Sequence, residues 1–186
     1  MMIRMTTIAL LLAMSALPAT AQARTAAAQA QSSSEPIVLA NDRAAEAEIG
    51  AALGAVYGAI SGPAGQPRDW AKMRTLFTPN ARLTAIGANG LNGMTVDEYI
   101  AKSGPTLTSA GFTERELARK VEIFGDLAHA WSSYEGVGNG GRLKVRGINS
   151  FQLVRQNGKW LVQSIFWQAE APTRPLPADM LPVAAK

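Results

Sequence analysis

The sequence predicts an α+β fold, in which three N-terminal helices pack on one face of a curved, mostly antiparallel sheet. Two observations carry that prediction. Apolar residues recur at three- and four-residue steps through the first half of the chain, and from Phe112 onward they alternate with polar ones. Turn signals cut the alternating half into runs, at Gly125-Asp126, at "GVGNGG" and at Asn157-Gly158.

Each helix has a start and a stop. Asn41 or Asp42 can cap the first, whose apolar positions Ile49, Leu53, Val56, Tyr57 and Ile60 share one side and which ends at Ser61-Gly62-Pro63. Gly50, Gly54 and Gly58 add a stripe of small residues expected to press against the sheet. After "GPAGQP" a short helix, "RDWAKMRTLF", sets Trp70, Met73, Leu76 and Phe77 on one side and closes at Thr78-Pro79. The third opens with a capping box from Thr95 to Glu98, in which each side chain satisfies the other's free backbone N–H, and it is expected to stop at Gly104-Pro105.

Strands are predicted over 114–124, 127–136, 142–155 and 159–169. Strict alternation assigns their faces. In the third of them Leu143, Val145, Gly147, Asn149, Phe151 and Leu153 share a side, so Asn149 is a polar group among apolar ones and needs a partner from the backbone or from a ligand. In "GDLAHAWSSYEG" the small face is Ala128, Ala130, Ser132 and Tyr134, which puts His129, Trp131, Ser133 and Glu135 opposite. A β-bulge between Gly125 and Tyr134 would exchange these faces and turn His129 inward. The last strand sets Trp160, Val162, Ser164 and Phe166 against Leu161, Gln163, Ile165 and Trp167.

The ends read differently. Residues 1–23 have a charged start at Arg4, an apolar run from Ile8 to Leu17 and small residues at Ala21 and Ala23, the pattern of a secretory signal peptide cleaved after Ala23. That run is well short of the roughly 20 residues needed to span a bilayer. Residues 24–40 are Ala, Gln and Ser, a flexible lead-in, and residues 171–186 form a Pro-rich tail, leaving 41–170 as the folded domain. The mature protein is expected in the periplasm or secreted, with no membrane attachment.

Composition narrows the chemistry. The chain has no cysteine and one histidine, which excludes disulfides, thiolate metal sites and a cysteine nucleophile, and leaves His129 without a second imidazole for a metal. Ser164 likewise lacks the partners of a serine-hydrolase triad. The net charge of +4 is interspersed, with Arg142, Lys144 and Arg146 the one basic cluster, so no nucleic-acid partner is expected.

Four pieces in order, Tyr57 on the first helix, "DWAKMRTLFTPNARL", "GDLAHAWSSYEG" and the hairpin "INSFQLVRQNGKWLVQSIFWQAE", resemble the nuclear transport factor 2-like superfamily over residues 45–170. That superfamily includes ketosteroid isomerases, scytalone dehydratase, limonene epoxide hydrolase and polyketide cyclases. The resemblance implies a cone in which the helices close over the concave sheet face around an apolar pocket, while the opposite face often forms a dimer. The isomerases and dehydratases use pocket carboxylates; the late strands here, "GINSFQL" and "LVQSIFW", carry none.

Three functions fit. The first is an exported small-molecule-binding protein that holds an apolar ligand with Tyr57, Tyr134, Asn149 and Ser164 as polar contacts. The second is a cofactor-independent isomerase, dehydratase or hydrolase acting through Tyr57 or Tyr134. The third is a structural or interaction module whose pocket is filled by its own side chains. Pocket volume together with an ionisable group inside it separates them. No metal and no cofactor are expected, and a homodimer is expected through the outer face, where Trp131, Ile165 and Trp167 would otherwise lie in water. Amino-terminal sequencing of exported protein is expected to begin at Arg24, and an intact Met1 on membrane-bound protein would refute the leader.

Overall fold

In a computed structural model, residues 43–182 are described; the predicted leader, the lead-in, the capping residues Asn41 and Asp42 and the last four residues of the tail lie outside them. Helix α1 spans Arg43–Ile60, α2 Trp70–Arg74 and α3 Val96–Ala110. The strands are β1 (Phe77–Gly87), β2 (Gly90–Met94), β3 (Phe112–Phe124), β4 (Leu127–Gly138), β5 (Leu143–Gln156) and β6 (Lys159–Ala169). They form one six-stranded sheet in the order β2-β1-β6-β5-β4-β3, antiparallel except where β1 runs parallel to β6.

The α+β class and the four late strands agree with the sequence reading; the region between the second and third helices does not. A hairpin, β1 and β2, is inserted there, so α3 follows two strands of the sheet. Thr78 and Pro79 do not close a helix but lie inside β1, in the stretch where its pairing with β6 is interrupted between Phe77 and Arg82. A proline, which has no N–H to give, is tolerated at such a break. The third helix also runs past Gly104-Pro105 to Ala110. Both Pro105 and Ala101, the residue whose carbonyl loses its partner, are on the exposed side, where water can take the freed oxygen.

Local chemistry explains the elements that were foreseen. The Thr95 hydroxyl accepts from the Glu98 N–H while the Glu98 carboxylate accepts from the Thr95 N–H, closing the predicted capping box. Asn157 and Gly158 both have positive φ, 51° and 74°, as a two-residue hairpin turn requires. Helix α1 buries Ala45, Ile49, Leu53, Val56, Tyr57 and Ile60 against the sheet. The glycine stripe does not serve that contact: Gly54 and Gly58 face open space, and only Gly50 is covered, by the Arg119 guanidinium.

The outer sheet face is partly roofed by the tail, which is packed as far as Met180. The Ser133 hydroxyl donates to the Met180 carbonyl at 2.6 Å, Lys120 pairs with Asp179, and Leu176 and Met180 are buried.

One buried cation fastens the helical side. Arg68 donates from Nε to the Ile60 carbonyl at 3.2 Å and from Nη2 to those of Gly62 at 2.6 Å and Leu107 at 2.9 Å, with Nη1 on Gln66 and Pro63. It thereby joins the end of α1 to α3, and the carbonyl dipoles at the carboxyl end of α1 stand where a counter-ion would. Arg68→Met is expected to strand these carbonyls and lower stability by about 2–4 kcal/mol in urea denaturation. Arg68→Lys should recover only part of the loss, because an ammonium cannot span the same carbonyls.

Candidate functional site

Between α1, α3 and the concave sheet face lies a cavity of about 630 Å³, within the range of small-molecule sites. Its walls are mostly apolar, with Val56 from α1, Phe151 from β5, and Ile165 and Trp167 from β6. Polar groups enter from few directions: Tyr57 from α1, Tyr99 and Lys102 from α3, Glu114 from β3, Tyr134 from β4 and Asn149 from β5. Lys102 and Thr106 are exposed and mark the mouth.

Sheet register explains why these side chains meet. Asn149 is paired with Ser132 and Gly147 with Tyr134, so alternation sends all but the glycine inward. A Cβ on Gly147 would lie 2.6 Å from the Tyr134 hydroxyl, and the missing side chain lets the phenol lean across the neighbouring strand. On β3, Glu114 lies opposite Gly136 and Glu116 opposite Tyr134.

The polar groups fall into two sets. In the first every hydrogen bond is made: the Asn149 Nδ2 donates to Tyr57 Oη at 3.0 Å, Tyr57 Oη lies 2.7 Å from Ser132 Oγ, and Ser132 Oγ donates to Glu116 Oε1 at 2.7 Å. Burial raises the Tyr57 phenol above its ordinary pKa, so it stays protonated and serves as a hydrogen-bonding group.

The second set opens onto the cavity. The hydroxyls of Tyr134 and Tyr99 have no hydrogen-bond partner among the described residues, and burial, aided by the nearby charge of Glu114, raises both phenols. Burial likewise pushes the Glu114 carboxyl up to about 7, with the Asn149 amide drawing it partly back. A carboxyl so placed is about half ionised at neutral pH and can both give and take a proton.

Of the predicted polar contacts, Tyr57, Tyr134 and Asn149 are brought together in the cavity, whereas Ser164 is not. The pairs Leu153–Val162 and Gln152–Ser164 leave Gln163 as an extra residue, and this bulge exchanges the faces of the rest of β6. Ile165 and Trp167 therefore line the cavity, and Ser164 and Phe166 turn outward. The outer face expected at Trp131, Ile165 and Trp167 is correspondingly Trp131 and Phe166, 46% and 42% exposed. No bulge disturbs the β4–β5 pairing, and His129 faces outward, with Nε2 3.1 Å from Ser150 Oγ and its ring edge-on to Trp131.

Glu114 was missed by the sequence reading because "FTERELARK" is so rich in charge that it reads as a solvated strand. A signal was present nonetheless: alternation puts Glu114 and Glu116 on the same side as Phe112.

No protein-family model matches the sequence, and no curated protein matches it. Solved structures do match. A nuclear transport factor 2-like protein of unknown function from Pseudomonas putida is 18% identical, with a TM-score of 0.57 over 76% of this chain and 99% of the other. One from Shewanella baltica is 17% identical, with a TM-score of 0.53 over 70% and 98%. A protein of unknown function with a cystatin-like fold, from Nostoc punctiforme, is 15% identical, with a TM-score of 0.55 over 71% and 95%. At such identities the likeness extends to the backbone alone, and on that ground the chain has the nuclear transport factor 2-like fold.

Proposed function

We propose that this chain is an exported enzyme that binds an apolar small molecule in the cone and moves a proton on it without a cofactor, as an isomerase or dehydratase does. The observation that carries the proposal is the position of the Glu114 carboxyl, in a mostly apolar cavity with the Tyr99 and Tyr134 phenols, where burial pushes it up to about 7. Passive binding accounts for the volume, but it gives no reason for a desolvated carboxyl there. Export rests on the leader sequence.

The chemistry follows from protonation states. Ionised Glu114 takes a proton from carbon next to a carbonyl, the Tyr134 or Tyr99 hydroxyl donates to the oxygen where charge develops, and Glu114 returns the proton at another carbon. In a dehydration the returned proton would leave with the hydroxyl as water. Both reactions balance within one carboxyl and its substrate.

Catalysis should rise with pH as Glu114 ionises, half-maximal at about 7. Glu114→Gln is expected to lower turnover by about 10²–10⁴-fold, measured as deuterium uptake from heavy water by a panel of cyclic ketones. Uptake equal to that of the unsubstituted protein would sink the reading. Stability should move the other way. A carboxyl whose folded pKa is raised contributes stability below its unfolded value, and this is lost as pH rises through about 7. Glu114→Gln should therefore melt higher than the unsubstituted protein at pH 8, with no such gain at pH 4.

A two-fold dimer through the outer face belongs to the same proposal. Trp131 and Phe166, with Phe124 and Leu127 beyond them, expose apolar surface that the tail leaves uncovered. Sedimentation should give a dimer at micromolar concentration and a monomer for Trp131→Glu; a monomeric parent would count against it.

A further inference from the structure

Glu116 does not line the cavity, yet it ends the hydrogen-bond chain that starts there. Its carboxylate is ion-paired with Arg119. The pairs Glu116–Tyr134 and Ala118–Ser133 leave Leu117 unpaired, and this bulge brings Arg119 to the same sheet face as Glu116.

An ionised carboxylate offers acceptors and no donor. Ser132 therefore gives its one proton to Glu116 and must accept from Tyr57, 2.7 Å away. Tyr57, its proton committed, has only lone pairs left, so the atom that meets it at 3.0 Å must be the Asn149 nitrogen. The direction of each bond is set by a charge at the far end of the chain. One hydrogen of that nitrogen is on Tyr57, which leaves the other for the Glu114 carboxyl of the same cavity, whose pKa the amide lowers.

We propose that Glu116 is a positioning residue, which acts through Ser132 and Tyr57 to hold the Asn149 amide with its nitrogen, not its oxygen, toward Glu114. The inference rests on Glu114 being the proton carrier of the cavity. Sharing the cavity with Glu114 from other elements are Tyr57 of α1, Tyr99 and Lys102 of α3, Tyr134 of β4 and Asn149 of β5; burial raises the three phenols, so they stay protonated near neutral pH.

The test is a carbon-13 titration of the glutamate carboxyls, with Glu114 assigned by the resonance missing from Glu114→Gln. Glu114 in the unsubstituted protein is expected to titrate at about 7. In Glu116→Leu the Ser132 proton has no carboxylate to go to and turns to Tyr57, which then donates to Asn149; the chain reverses, and the amide turns its oxygen toward the Glu114 carboxylate. The Glu114 midpoint should then rise by about one pH unit, a tenfold change in its ionisation. Loss of a nearby negative charge acts in the opposite direction, lowering a carboxyl's midpoint, so the sign separates the two causes.

Ser132→Ala breaks the chain while keeping the Glu116–Arg119 pair, and it should raise the midpoint as well. A midpoint unchanged or lowered in either folded variant overturns the positioning role. A midpoint near 4.5 in the unsubstituted protein overturns instead the reading of Glu114 itself. Should neither variant fold, the unsubstituted protein decides. Its Asn149 amide protons must show nuclear Overhauser contacts to the Tyr57 ring, and their absence overturns the proposal.

Discussion

The hydroxyl of Tyr57 fixes how helix α1 sits on the sheet, and the cavity follows from that seat. Apolar contacts such as those of Ile49, Leu53 and Val56 are non-directional and would tolerate a small rotation or slide of the helix. The hydrogen bonds to Ser132 and Asn149 would not. Moving the helix by a residue would strand three buried polar groups at about 1–3 kcal/mol each, so the polar chain supplies the register that hydrophobic packing leaves loose. The same ring meets Phe151 edge-on with centroids 6.2 Å apart, tying the helix to the cavity floor.

Two bulges then decide which chemistry faces inward. Were Gln163 paired in regular alternation, with no bulge, Ser164 and Phe166 would line the cone, and Ile165 and Trp167 would face outward. The amide of Gln163 is held by the Thr78 hydroxyl at 2.8 Å, at the end of β1 where the parallel pairing breaks. At Leu117 the second bulge divides β3 into a cavity half, with Phe112 and Glu114, and a half beneath α1, where Arg119 lies opposite Ser132 and against Gly50.

These features also mark where the sequence is legible. The helix faces, the capping box, the Asn-Gly turn and the outward side of His129 are written in local periodicity, which survives folding wherever pairing is continuous. The inward side of Tyr57, Tyr134 and Asn149 was legible for the same reason. Ser164 was misplaced because a bulge is set by a partner strand, here β1, which is distant in the chain and was itself taken for the end of a helix. Glu114 was overlooked for a different reason. A charged residue in a charged segment looks exposed, and its desolvation comes from cavity walls assembled from elements distant in the chain.

The contrast between Tyr57 and its two neighbours bears on function more directly than the cavity's size. A buried polar group left without a partner is costly, and folded chains leave few of them. This chain satisfies one buried phenol completely, with a donor on one side and an acceptor on the other, so the fold is able to do so. In the same cavity the Tyr134 and Tyr99 hydroxyls make no hydrogen bond to the described residues and border the open space, and a carboxyl is held far above its ordinary value. Polar groups gathered in one mostly apolar cavity and open to it are placed to meet a ligand there. On the proposed reading, a carboxyl pushed up to about 7 suits a ligand on which a proton can move.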